Sequence, residues 1–207
     1  MLQIAYNKTE RTEKPKYIVI HTTGNKNPGA DAQAHFKYWS SGKVGTSADF
    51  VVDSKEALQI NDYTKYYTWH CGDGKGKNGI TNSNSVGVEI CVNRDGDFEQ
   101  ALKKAANLVK KIKKEAGITK VVRHYDASGK ICPFELSENN WEGWGKFLEM
   151  VEADELVELT EINDLVWELS YRGIVTDKEL WLGKLSVDEN AYWLARKCVN
   201  YIRGKNV

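Results

Sequence analysis

The chain has no excess of charge of either sign: Lys+Arg and Asp+Glu stand at 29 each in 207 residues, a formal net charge of zero. That balance gives no electrostatic footprint for nucleic acid. Long apolar runs are missing too, and nothing approaches the roughly 20 residues that span a bilayer, so membrane insertion is not expected. Cysteine is scarce. Cys71, Cys91, Cys132 and Cys198 form no CxxC pair and no dense framework, which argues against a disulfide scaffold. The first residues, from Met1 to Lys8, lack a basic segment followed by an apolar one. No signal peptide is therefore expected, and the chain is expected to be made in the cytoplasm and to stay soluble.

What the chain does have is concentrated between Arg123 and Pro133, Arg-His-Tyr-Asp-Ala-Ser-Gly-Lys-Ile-Cys-Pro. His124 and Cys132 stand eight residues apart across a glycine-containing bend, with Lys130 two residues before the cysteine. A neutral imidazole and a thiolate are good zinc ligands, and a loop of this length can fold both onto one ion. A second histidine, His21, ends the β-branched run Lys16-Tyr17-Ile18-Val19-Ile20, which reads as a buried strand. The end of a central strand is where α/β sheets carry their chemistry; the bland alternative is a core histidine bonded to backbone. A further central strand, Val86 to Val92, contains Glu89 between apolar neighbours. A carboxylate there needs a partner or a metal, so it is either functional or half of a structural ion pair.

Other segments frame these residues. Ala30 to Trp39 reads as a helix, Ser47 to Asp53 and Ala57 to Ile60 as a strand pair, and Tyr66 to Gly74 as an aromatic, then glycine-rich stretch suited to a cleft wall. Asp97 to Ala116 is an amphipathic helix with an Asp97 N-cap and Gly117 at its end. Its lysines, Lys103, Lys104, Lys110, Lys111, Lys113 and Lys114, form a solvated face, or a face attracted to an anionic polymer. Asn140 to Met150 is a further helix. An acidic stretch from Val151 to Glu155 reads as a linker or helix end. Beyond it lie three short helices, with Ile162, Leu165, Val166 and Leu169 on one face and Ala191, Leu194, Ala195, Cys198, Val199 and Ile202 on another. Trp167, Tyr171 and Trp193 fall opposite these stripes. Such surplus aromatics suit a sugar polymer or self-association, or a bundle buried on more than one side.

If His21, His124 and Cys132 converge, two imidazoles and a thiolate leave a fourth zinc position open, as catalytic zinc sites do. Glu89 then suits proton transfer, and Lys130, on the same side of an extended segment as Cys132, suits stabilisation of an oxyanion. The reaction class is metal-assisted amide hydrolysis.

Five stretches in order carry a resemblance: Tyr17 to Thr23, Ser47 to Asp53, Trp69 to Gly72, Asn84 to Ile90, and Arg123 to Pro133. Together they resemble the motifs of the type 2 N-acetylmuramoyl-L-alanine amidases, a group of autolysins and phage endolysins related to the peptidoglycan recognition proteins. The resemblance implies a mixed central β-sheet flanked by helices, with one zinc (Zn2+). It assigns His21, His124 and Cys132 as ligands, Glu89 and Lys130 as catalytic, and Trp69 and His70 as cleft residues that bind substrate. The bond cut is the amide between the lactyl group of N-acetylmuramic acid and L-alanine. Some short phage members carry tyrosine then histidine where this chain has Ala48 and Asp49, so the glutamate-bearing members are the better template.

By the same reading, residues 1–154 are the catalytic domain and residues 155–207 a small helical module similar to the tails of clostridial phage or prophage endolysins. Its expected role is binding the host wall, with self-association as the competing role. The enzyme is expected to reach the wall after holin-type release and to lyse a Gram-positive host. Three alternatives stay open: a non-catalytic peptidoglycan-binding module, a different zinc peptidase, and a structural zinc protein with Cys91 or His70 as fourth ligand.

Overall fold

The computed structural model describes residues 2–152 and 162–202. The chain divides into two units, Met1–Glu152 and Ala153–Val207. The acidic stretch expected as a linker falls largely outside the described residues.

The first unit is built on a five-stranded sheet. Its strands are β2 (Tyr17–Thr22), β3 (Phe50–Val52), β4 (Ala57–Gln59), β6 (Ser85–Ile90) and β7 (Lys120–Arg123), in the order β4-β3-β6-β2-β7. β2 runs parallel to both β6 and β7, β3 is parallel to β6, and β4 is antiparallel to β3. The sheet is therefore mixed, with the β-branched β2 and β6 at its centre. A separate antiparallel ribbon pairs β1 (Lys8–Glu10) with β5 (Tyr66–Thr68). β1 is Lys-Thr-Glu and carries no apolar alternation, which is why sequence reading assigns no strand there.

Strand alternation decides what each face carries. Ile18, Ile20, Val86, Val88, Ile90, Phe50 and Val52 share one buried face. Helices α2 (Phe98–Ala116) and α4 (Glu138–Glu152) cover it, through Ala105, Val109 and Ile112 on one and Trp144, Phe147 and Val151 on the other. Asp97 caps α2 by accepting a hydrogen bond from the Gln100 N–H (3.0 Å), and Gly117 ends it in the left-handed conformation. The Lys103–Glu99 and Lys111–Glu115 pairs lie one turn apart on its outer side.

The opposite face carries Val19 and His21 from β2 and Ser85, Gly87 and Glu89 from β6, and α1 (Ala32–Ser40) stands at its rim. Register places His21 beside Glu89 at the carboxyl ends of the parallel strands. β7 ends at the same edge and hands the chain to α3 (His124–Ser128), a five-residue helix where the sequence suggests only a bend. It is too short for periodicity to reveal. The Arg123 side chain and backbone N–H both bond the Asp126 carboxylate, fixing the helix start.

The second unit holds α5 (Ile162–Tyr171), α6 (Lys178–Val187) and α7 (Glu189–Ile202). Leu165, Val166, Leu169, Val175, Leu185, Ala195 and Val199 form its core. Asp177 caps α6 through the Leu180 N–H. On α7 the buried residues Ala195 and Val199 and the half-buried Ala191 form one row at four-residue spacing. Leu194, expected on that stripe, is 65% exposed, and Cys198 is exposed too. Tyr192, rather than Leu194 or Cys198, packs beside that row against the core.

Candidate active site

The cavity at the carboxyl edge of the sheet has a volume of about 430 Å³, and all four histidines of the chain line it. His21, His124 and Cys132, all buried, bring one potential ligand atom each to within 4.8 Å of one another. His21 Nδ1 and His124 Nδ1 are 3.0 Å apart, and Cys132 Sγ lies 3.9 Å from His21 Nδ1. Glu89 and Lys130 line the same cavity, with Glu89 Oε1 4.0 Å from His21 Nδ1. Five of the residues singled out from sequence thus meet in one place.

Each is delivered by a different local device. His21 and Glu89 ride on adjacent parallel strands. His124 is the first residue of α3, and Cys132 follows the turn at Gly129, whose φ is +89°. The Cys132 carbonyl accepts from the Tyr125 N–H (3.0 Å), closing the loop that carries His124 and Cys132.

His124 Nε2 is 2.7 Å from Asp73 Oδ1. A carboxylate only accepts, so this nitrogen carries the proton and Nδ1 presents its lone pair to the cluster. Sequence reading missed Asp73, which sits in a glycine turn fifty-one residues away. The turn depends on Gly74, where a Cβ would meet the Ala127 carbonyl oxygen at 2.1 Å. Only glycine lets the Asp73 turn lie against α3.

Burial sets the electrostatics. It pushes the Cys132 thiol up to about 12 and the Glu89 carboxyl up to about 7, the latter opposed by the Lys130 charge. Burial also holds His21 well below its ordinary value, helped by the neighbouring His70, His124 and Lys130, and lowers His124 despite Asp73. The histidines are therefore neutral, the form in which imidazole binds a metal, and the thiol gives up its proton when a cation arrives. One Glu89 oxygen, Oε2, is buried without a partner. Two neutral imidazoles and a thiol make a donor set that fits zinc, with an unpartnered carboxylate oxygen beside it.

Trp69 and His70 also line the cavity. Trp69 donates through Nε1 to Thr9 Oγ1 (3.2 Å), so the β1 ribbon pins one cleft wall. Cys91 lies elsewhere, in an apolar cluster, with its Sγ 3.9 Å from His35 Nδ1. Ala48 packs into that same cluster. Asp49 is fully buried and accepts from Asn61 Nδ2, Thr68 Oγ1 and the Gly87 N–H, tying β3, β5 and β6 together. Neither residue lines the cavity. In the second unit, Trp167 and Tyr171 stack at 5.3 Å with 5° between their planes, and both are exposed. Trp193 is exposed as well, with Arg196 over its ring.

Comparison with known proteins places this geometry. A family model described as N-acetylmuramoyl-L-alanine amidase matches residues 11–135, more than half of the chain. The amidase CwlH of Bacillus subtilis (strain 168) is 38% identical over 146 residues, covering 68% of this chain and 54% of CwlH. XlyA of the same organism is 39% identical over 148 residues, covering 69% of this chain and 46% of XlyA. The solved catalytic domain of XlyA superposes with a TM-score of 0.63 at 37% identity, over 70% of this chain and 91% of that domain. The chain thus spans about half the length of the curated relatives it matches. Both are Bacillus proteins, so they carry the amidase part of the sequence resemblance and not its clostridial part. With the mixed sheet, the ordered motifs and the family match together, the chain belongs to the type 2 N-acetylmuramoyl-L-alanine amidase family.

Proposed function

We propose that this protein is a zinc-dependent amidase that hydrolyses the bond between N-acetylmuramic acid and L-alanine in bacterial peptidoglycan, acting as an endolysin on a Gram-positive wall. The observation that carries this reading is the convergence of His21, His124 and Cys132 beside the half-buried Glu89 in one open cavity.

His21, His124 and Cys132 would hold the ion. When bound, zinc supplies Lewis acidity, lowering the pKa of water and polarising the scissile carbonyl. The chain's own residues do the rest. Glu89, pushed up to about 7, accepts a proton from the attacking water. As the carbon–nitrogen bond breaks, it passes that proton to the departing L-alanine nitrogen. The products are a free lactyl carboxyl group and a new α-amine. Lys130 faces the same cavity and offers its ammonium to the oxyanion of the tetrahedral intermediate. Asp73 keeps His124 in the tautomer that presents Nδ1.

The second unit is proposed to bind a wall polymer. The stacked, exposed Trp167–Tyr171 pair and exposed Trp193 support this, since aromatic faces with polar edges suit sugar rings. Attachment would raise the enzyme's effective concentration on an insoluble substrate. Self-association through the same aromatics is the competing role, and sedimentation at rising concentration separates the two. No helix among the described residues is long and apolar enough to cross a membrane.

Metal analysis tests the zinc reading. One zinc per chain is expected, and Cys132→Ser should lose most of it. Full zinc and full activity in Cys132→Ser would remove that residue as a ligand.

A further inference from the structure

His70 has both ring nitrogens committed inside the protein. Nδ1 lies 3.0 Å from His21 Nε2, and Nε2 lies 3.1 Å from Ser85 Oγ. Ser85 Oγ in turn donates to the Thr81 carbonyl oxygen. The ring is seated from below by Gly87, where a Cβ would meet His70 Cγ at 2.6 Å. Its backbone is held by Asn82, whose Oδ1 accepts from the N–H groups of both His70 and Cys71.

The direction of these bonds follows from the one group that cannot change role. The Thr81 carbonyl only accepts, so the Ser85 hydroxyl proton points to it. Ser85 Oγ then accepts from His70 Nε2–H. His70 Nδ1 is left as a bare acceptor, and it takes the proton of His21 Nε2–H. His21 Nδ1 is thereby stripped and turned toward His124 Nδ1 and Cys132. A backbone carbonyl thus fixes, through two side chains, which nitrogen of His21 is available.

We propose that His70 is a positioning residue for the metal centre, setting the tautomer and ring orientation of His21 through the Ser85–Thr81 relay, rather than the substrate-binding residue that the family resemblance implies. With neither nitrogen free, it has no polar group to offer a substrate. Asp73 does for His124 what His70 does for His21, so each histidine ligand has its own orienting partner. This deepens the zinc reading above and rests on it.

The test uses the full chain. Zinc affinity is measured by chelator competition for the wild type, His70→Ala, His70→Gln and Ser85→Ala, and kcat and KM are measured on a soluble muramyl peptide at saturating zinc. His70→Ala should weaken zinc by about 10–100-fold, with KM close to wild type. His70→Gln, whose carbonyl can accept from His21 Nε2–H, should recover part of the loss. The absorption bands of the cobalt-substituted protein should shift in His70→Ala and return toward wild type in His70→Gln. Unchanged zinc affinity in His70→Ala, or a raised KM with zinc binding intact, would overturn the proposal in favour of a substrate contact. If His70→Ala does not fold, Ser85→Ala decides by the same criterion, because it leaves the His70 ring in its seat. Failure of the wild type itself to bind zinc would overturn the zinc reading as well, which distinguishes the two failures.

Discussion

Glu89 sits under two opposing influences. Burial raises its carboxyl to about 7, while the Lys130 ammonium pulls it down. A group poised near neutrality can both take and return a proton, which is what the proposed amide hydrolysis would ask of it. Glu89→Gln should therefore keep its zinc and lose about 10²–10⁴-fold in turnover. Equal turnover, with zinc content measured on the same sample, would end its role as proton carrier. Asp126 works differently. Burial alone would raise it, but the hydrogen bonds from the Arg123 side chain and backbone hold it below the usual carboxylate range. Its folded value is depressed, so its contribution is present above the unfolded value of about 4 and is lost as pH falls through the lower folded one. Asp126→Asn should cost about 1.5–3 kcal/mol at neutral pH by urea unfolding. The gap from wild type should shrink below about pH 4. A gap independent of pH would show that the charge is not what matters.

Elements succeed here by ending together. Parallel β2, β6 and β7 finish at one sheet edge, and that shared ending brings His21, Glu89 and His124 into one cavity. The strands and the long helix α2 were legible in sequence because each carries a strong period or apolar run bounded by caps. His21 and Glu89 were legible as anomalies, polar residues at the end or in the middle of such runs, and His124 and Cys132 by their eight-residue spacing across a glycine bend. The Asp73 turn, the β1 ribbon and α3 were not, because short polar segments joined by long-range contacts leave no periodic trace. His70 was visible as a cleft residue, yet its partners Ser85 and Thr81 lie on a segment that carries nothing but turn and strand signals. Gly74 gives an element-level test. A methyl group there meets the Ala127 backbone at 2.1 Å, which nothing flexible can relieve. Gly74→Ala should destabilise by about 1–3 kcal/mol and weaken zinc binding by displacing Asp73. Zinc affinity unchanged in a folded Gly74→Ala protein would show that the turn is not needed to orient His124.

At the scale of the whole molecule, the two units have separate apolar cores, one around the sheet and one among α5, α6 and α7. A protein ending at Glu152 keeps every residue of the cavity and of the core that supports it. It should fold, bind zinc and cleave soluble muramyl peptides at close to the full-length rate. Its attachment to purified walls should weaken, because the exposed aromatics are gone. Collapse of the shortened chain, seen as loss of its cooperative thermal transition, would instead make the second unit part of the catalytic core. The central claim concerns the bond that is cut, and end-group analysis of digested Gram-positive peptidoglycan tests it most directly. The account predicts new L-alanine amino termini without new reducing sugar, abolished by a chelator and restored by zinc. Tight wall binding by zinc-loaded protein with no new chain ends would contradict it and leave a peptidoglycan receptor built on an amidase fold.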